Sequence, residues 1–299
     1  MRGVFTTSHF STQITQLRSK TMESQVKEHY NSDNLTENIK IALIKAGKDI
    51  ANLDPKDISI IDQLHVGGAL ASIKLLKKAG LDADAFILDA GCGIGGSSRL
   101  MTQLFSCRVT GVDLAQKFIE AANFLTKCTG LDSKTKFKQG SVLELEFADN
   151  LFDAVLCQHV LMNIEDKTAA IKEFFRVLKP GGKLILHEVT KGSDVEIEFP
   201  VPWASESSIS FVQPWDTLSG ILKTQGFKTL MYADESDAAL SWQEKAKNAV
   251  KKRVFNTQDL GPGLVFGNIA QFFPKNMYNN LKNNAVCLIE SVQEKSYIT

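Results

Sequence analysis

Residues Phe86–Arg99 read FILDAGCGIGGSSR, and Gly111–Ala115 read GVDLA. Phe86, Ile87 and Leu88 form a short apolar run of β-favouring residues, the pattern of a parallel strand buried on both faces. The strand ends on Asp89 and opens into a loop carrying Gly91, Gly93, Gly95 and Gly96. Residues 97–105 follow as a helix, with Leu100, Met101 and Leu104 on one face. Such a loop lets a ligand lie against bare backbone, and the first helical turn leaves N–H groups free to bind it. A second strand, residues 108–112, delivers Asp113 to the same sheet edge. These features predict a nucleotide-type cofactor site.

Asp89 selects the cofactor. Gly91, Gly93 and Gly96 also satisfy GxGxxG, so a dinucleotide site is the first rival. A pyrophosphate, however, would lie at the helix N-terminus beside the Asp89 carboxylate, and like charges that close are unfavourable when partly desolvated. S-adenosylmethionine has no phosphate and carries an ammonium and a sulfonium, which turn Asp89 into an asset. Asp113 suits either cofactor, since both offer ribose hydroxyls.

The rest of the chain alternates strands and helices. Strands are expected at 86–89, 108–112, 134–139, 152–157, 183–188, 228–232 and 284–292, and helices at 35–48, 68–78, 97–105, 115–129, 166–178 and 218–224. The 68–78 helix should end at Gly80 with Lys77 and Lys78 in its last turn. Alternation of this kind makes an α/β fold, a doubly wound sheet with helices on both faces. Residues 191–214, rich in Pro, Ser and aromatics, follow the fifth strand, and residues 236–282 read as mostly helical.

LDAGCGIGG and GVDLA resemble the first two motifs of the class I methyltransferases. GSVLELEFADNLFDAVLCQHVLMNI, Gly140–Ile164, resembles the third and fourth, and RVLKPGGKLILHEV, Arg176–Val189, the turn and strand beyond them. QHVLMNI, DQLHVGG and FPVPWA further resemble the sarcosine/dimethylglycine methyltransferase-like subgroup. The resemblance implies a Rossmann-like, seven-stranded, mostly parallel sheet in the order 3-2-1-4-5-7-6, its last strand antiparallel, with helices on both faces and a helical/loop cap. It divides residues 22–299 into an N-terminal helical cap (22–80), a cofactor-binding core (81–190), substrate-side insertions and cap (191–283) and a last strand (284–299). It also implies S-adenosyl-L-methionine as cofactor. Asp89, Gly91, Cys92 and Gly93 should hold the methionine end, with Asp113 on the ribose and Leu114 against adenine. Ser141 and Val142 stand where many relatives have Asp-Ala at the adenine amino group, so adenine recognition is expected to lean on backbone or hydroxyl contacts. Gln158 should lie under the cofactor, and Tyr30 over its carboxylate, unless it is simply an exposed residue.

Methyl transfer is an in-line displacement with a neutral leaving group, so alignment at roughly 3 Å and desolvation do most of the work. The acceptor must be a neutral amine, or a deprotonated oxygen or carbon acid, and histidine is the side chain suited to that near neutral pH. His159 follows the fourth strand, where the family's acceptor is held, and is the expected base or orienting group. His187 and His65 are further catalytic candidates; each also reads as a packed or loop histidine. Trp203, Trp215 and Phe211 are expected around the acceptor, where aromatic faces attract methylated ammonium, although they could equally pack the lid. No Asn/Asp-Pro-Pro-Tyr follows the fourth strand, no Pro-Cys nucleophile is present, and no carboxylate pair with His suggests a metal. The expected reaction is N-methylation of a small amine such as sarcosine or dimethylglycine. O- or C-methylation of a lipophilic phenol or quinone is the alternative. Arg is scarce near the expected acceptor site, which sits awkwardly with a carboxylated amine.

The 299 residues are 43% hydrophobic, enough for a full core. Thirty-four basic and 34 acidic residues cancel, so no global field draws the chain to nucleic acid or anionic lipid. No apolar run reaches the ~20 residues of a membrane span. Five scattered cysteines without CxxC spacing read as reduced thiols. The expected partner is a small-molecule acceptor, and a homodimer is left open. Residues 1–21 carry Arg2, Arg18 and Lys20 among many Ser and Thr, with no acid before Glu23. They read as a mitochondrial transit peptide, or as a disordered extension or mis-set start ahead of Met22, with the protein then cytoplasmic.

Overall fold

A computed structural model describes residues 23–26, 30, 34–252 and 260–296, the side chains of 246–252 excepted. The expected transit segment, residues 1–21, falls outside those residues. Seven strands form one sheet in the order β3-β2-β1-β4-β5-β7-β6. They are β1 (Phe86–Ala90), β2 (Arg108–Asp113), β3 (Thr135–Gln139), β4 (Phe152–Gln158), β5 (Leu178–Lys191), β6 (Phe227–Asp234) and β7 (Val286–Lys295). The first five pair in parallel, and β7 runs antiparallel to both β5 and β6. This is the expected order and the Rossmann-like α/β fold.

Strand residues alternate between two apolar layers. Leu88, Val155, Leu184 and Leu186 face α6 (Lys167–Val177) and α7 (Trp215–Gln225), where Ile171, Phe174, Leu218 and Leu222 meet them. Ile87, Ala154, Leu156 and Ile185 face α3 (Gly68–Ala79) and α4 (Gly96–Phe105) through Leu75, Leu76 and Met101. Strands buried on both faces need the near-continuous apolar runs seen here. α3 ends on Gly80 at φ +59° with Lys77 and Lys78 in its last turn, as expected.

The cap surrounds the carboxyl ends of the strands. Helices α1 (Leu35–Lys45) and α2 (Pro55–Asp62) pack with α5 (Gln116–Cys128) in one apolar cluster. A second cluster joins Val201, Trp203 and Ile209 of the loop after β5 to Met277 and Leu281 of the helix Phe273–Lys282. Helix α2 is an addition to the expected list. Asp54 caps it by accepting from Lys56 N, and Pro55 opens it, a start signal present in the sequence. β5 is longer than expected because it pairs with β7 from Lys183↔Glu294 to Lys191↔Val286. Among the described residues no helix is long and apolar enough to cross a membrane.

Candidate functional site

One cavity opens at the carboxyl ends of β1, β2 and β4, the position where open α/β sheets bind ligands. It is lined by thirteen of the sixteen expected site residues: Tyr30, His65, Asp89, Gly91, Cys92, Gly93, Asp113, Leu114, Ser141, Val142, Gln158, His159 and Trp203.

The glycine loop builds its first wall. Gly91 and Cys92 both donate to the Val112 carbonyl, at 2.7 and 3.0 Å, which folds the loop back across β2. Gly91 has φ +76°, and a Cβ there would stand 2.3 Å from Val160 Cγ2. Only glycine lets the β1 and β4 loops pass this closely. Gly93, by contrast, faces open space. Asp113 accepts from Gly93 N and Ala115 N, both at 2.9 Å, so it holds the loop and caps the turn into α5 while it lines the cavity. Burial raises its carboxyl, and those backbone donors work against the rise. Asp89 is 2% exposed and accepts from Ser98 Oγ. Burial pushes its carboxyl up to about 6, against the Ser98 bond and with the Asp113 charge.

The opposite wall follows β3. Ser141 Oγ accepts from Leu143 N at 3.0 Å and donates to the Glu23 carboxylate, and both side chains line the cavity. Tyr30 lies against Phe118 and Phe266, at 5.5 and 6.1 Å between ring centres, and its hydroxyl donates to Asn163 Oδ1 at 2.9 Å. Asn163 in turn donates to the Trp203 carbonyl at 2.6 Å, tying the turn after β4 to the cap.

Three histidines gather at the β4 end. Ring centres lie 4.8 Å apart for His159 and His187, 5.8 Å for His65 and His187, and 5.9 Å for His65 and His159. Gln158 links His187 to His65 through Ser72: its Nε2 donates to His187 Nδ1 at 2.9 Å and to Ser72 Oγ at 3.1 Å, and Ser97 Oγ donates to its Oε1 at 2.7 Å. Ser72 Oγ also lies 2.8 Å from His65 Nε2. With Nδ1 accepting, His187 carries its proton on Nε2. Burial drives the His65 ring down to about 4 and the His187 ring to about 3. Burial, with His187 and His65 beside it, lowers His159 well below the usual range. Nε2 of His159 and Nε2 of His187 are buried without a hydrogen-bond partner among the described residues, an arrangement that calls for an explanation in a native site. Among the described residues no group of three or more His, Cys, Asp or Glu side chains is disposed to hold a metal ion.

The His159 turn is held from below. His159 has φ +55°, a strained conformation for a side chain of this kind. Glu188 accepts from Val160 N and Leu161 N at 3.1 Å each, and His159 N donates to the His187 carbonyl at 2.8 Å. Burial raises the Glu188 carboxyl to about 7.

Three expected residues lie elsewhere. Trp215 begins α7 and stacks on Tyr232 of β6 at 5.0 Å, so it packs the far edge of the sheet rather than the acceptor. Phe211 is outside the cavity lining; its backbone bonds Met162 O and Lys167 Nζ, which anchors the loop. His187, 1% exposed, sits behind Gln158 and reaches the cavity only through its neighbours. Glu23, Asn163, Ser97 and Glu188 escaped the sequence reading, because each acts through a partner distant in the chain.

A methyltransferase-domain family model matches residues 88–186, from β1 into β5. Over 189 residues the chain is 27% identical to phosphoethanolamine N-methyltransferase 1 of Zea mays, a match covering 63% of this chain and 37% of that protein. The chain thus spans little more than a third of that relative's length. Among solved structures, a geranyl diphosphate methyltransferase in complex with GPP and sinefungin superposes with a TM-score of 0.65 at 17% identity, covering 92% of this chain and 99% of that one. A putative sarcosine dimethylglycine methyltransferase from Galdieria sulphuraria superposes with a TM-score of 0.59 at 20% identity, over 76% and 84% of the two chains. These structural likenesses are likenesses of fold. Residues 88–186 thus match a methyltransferase domain, and the sheet order and the glycine-loop cavity at the strand ends agree with that match.

Proposed function

We propose that the protein methylates a small molecule, and that its acceptor is an amine of the sarcosine or dimethylglycine kind. The observation that carries this reading is the division of one cavity into two chemical ends, with the carboxylates of Asp89 and Asp113 on one side and neutral imidazoles on the other. S-adenosylmethionine, when bound, supplies an electrophilic methyl on a sulfonium. Asp89 suits its ammonium, Asp113 its ribose hydroxyls, and the bare backbone at Gly93 leaves room beside them.

At the other end, His159 Nε2 has no hydrogen-bond partner among the described residues and can take a hydrogen bond from the N–H of a secondary amine such as sarcosine. An imidazole whose proton affinity is driven this low stays neutral at pH 7. Its role is to orient the acceptor lone pair. A neutral amine needs no proton removed as the N–C bond forms: the ammonium formed from sarcosine can lose its proton to water afterwards, and the quaternary ammonium formed from dimethylglycine carries none. The apolar wall of Tyr30, Phe118 and Trp203 excludes water from that approach. Among the described lining residues none is Lys or Arg, which disfavours phosphate-bearing acceptors. A carboxylated amine would then be held by backbone N–H groups and histidines.

The same aromatic wall supports a second reading, O- or C-methylation of a lipophilic phenol or quinone. Incubating the protein with labelled S-adenosylmethionine and separate pools of sarcosine, dimethylglycine, phosphoethanolamine and phenols separates the two. S-adenosylhomocysteine released with the amines supports the first reading, and release with phenols alone replaces it. Cytoplasmic action, with mitochondrial import through residues 1–21 as the alternative, completes the proposal and is tested by fractionating cells that express the tagged full chain.

A further inference from the structure

The cavity is laid out in the order of the sheet. Asp89 stands at the end of β1, Asp113 at the end of β2, and Ser141 just after β3. β3 lies outside β2, and Gly140 N donates to the Asp113 carbonyl at 3.0 Å, which sets Ser141 directly beyond Asp113. A nucleoside held by its ribose at Asp113 therefore places its base against Gly140, Ser141 and Val142. A serine at that point offers no anion to an amino group on the base. The structure supplies one from outside the matched domain. Glu23, from the stretch of chain ahead of α1, accepts the Ser141 hydroxyl proton and lines the same wall.

We propose that Glu23 is the base-recognition residue of this site: its carboxylate, positioned by Ser141, accepts a hydrogen bond from the 6-amino group of adenine. The inference rests on the cofactor reading above and adds a residue and a chain segment to it. Ser141 Oγ accepts from Leu143 N at 3.0 Å, and because a carboxylate only accepts, the hydroxyl proton lies towards Glu23. A carboxylate has about four lone-pair sites, so the bond from Ser141 leaves others open to the cavity. Val26, one helical turn on and buried, packs in the cap cluster with Met162 and Trp203. That contact fixes where Glu23 stands. Residues 23–26 thus form part of the cofactor wall.

The test is a cycle of calorimetric titrations on the full chain, with S-adenosylhomocysteine and its 6-deamino analogue, in which hydrogen replaces the amine. The unaltered protein should bind the deamino ligand about 10- to 100-fold more weakly, the range for a hydrogen bond to a charged group. In Glu23→Ala that ratio should collapse towards one, because only the aminated ligand loses a partner. Glu23→Gln, which keeps a carbonyl acceptor without the charge, should fall between, and thermal melts of both variants check folding. A ratio unchanged in Glu23→Ala, with both ligands weakened alike, overturns the inference and leaves Glu23 a packing residue. Failure of the unaltered protein to bind S-adenosylhomocysteine at all removes the cofactor reading itself, so the two failures are distinguishable.

Discussion

Asp89 titrates in the range where its proposed partner's charge matters. Burial holds its carboxyl at about 6, and an ammonium favours the ionised form. Protons therefore compete with the ligand, and S-adenosylhomocysteine affinity should be level above pH 6 and fall as pH drops below it, approaching tenfold per unit. Calorimetry between pH 5 and 8 checks this, and Asp89→Asn should bind about 10- to 100-fold more weakly at pH 8, with a flatter profile. A flat profile in the unaltered protein would take Asp89 away from the ammonium. The histidines give an independent reading. His65 and His187 are depressed to about 4 and about 3 by burial, below the ordinary value near 6.5. Between those limits the unfolded chain takes up protons that the folded chain refuses, so their contribution weakens the fold as pH falls from about 6.5 towards 4. Ring carbon shifts followed by NMR should show both neutral at pH 5; midpoints near 6.5 would mean that the cluster is open to water. The glycines and aspartates were legible in the sequence because loop geometry and strand ends are local. Glu188 and Asn163 were not, since their partners lie 28 and 40 residues away.

Helix α4 carries more than the loop that precedes it. Arg99, 1% exposed, pairs with Asp62 at the end of α2 at 2.8 Å and also donates to Thr126 Oγ1 of α5 and to the Ile94 carbonyl. The pair joins the cap helix to the cofactor loop. Burial raises the Asp62 carboxyl by more than Arg99 offsets, and taking both charges out of water costs much of what their attraction returns. Removing one partner leaves a buried charge, and Arg99→Ala should cost about 3–5 kcal/mol in denaturant melts. Arg99→Met with Asp62→Leu should recover much of it; equal loss in the double variant would show that packing, not charge, was at stake. Gly91→Ala is the corresponding change in the loop. Its φ of +76° and the 2.3 Å approach to Val160 should lower the melting temperature and weaken S-adenosylhomocysteine binding together. α3, α5 and α6 were readable within a residue or two from apolar periodicity and caps. β5 ran past its expected end because pairing with β7, a partner nearly a hundred residues later, sets its length. Trp215 was placed at the acceptor because it neighbours the aromatic loop in sequence. Periodicity alone does not say that the first turn of α7 faces β6.

Across the whole molecule, the site is assembled from segments that the chain keeps far apart. β1 and β2 supply the carboxylates, β4 and β5 the histidine cluster, and the cap supplies Glu23, Tyr30, His65 and Trp203. The sheet order was readable only through the family resemblance that the motifs carry; the alternation of strands and helices by itself implied no more than a doubly wound sheet. The cap's contribution depended on packing between elements with no local signature, and function has to be argued from such site residues rather than from the fold. The central claim is a division of labour between the two ends of the cavity, and paired measurements on two variants test it directly. Asp89→Asn and His159→Ala would each be assayed for S-adenosylhomocysteine affinity by calorimetry and for turnover with the best acceptor. The account predicts that Asp89→Asn weakens binding, and that His159→Ala leaves binding within about threefold while turnover falls by about 10²-fold. Loss of cofactor affinity in His159→Ala equal to that in Asp89→Asn, or turnover undiminished without the imidazole, would contradict it.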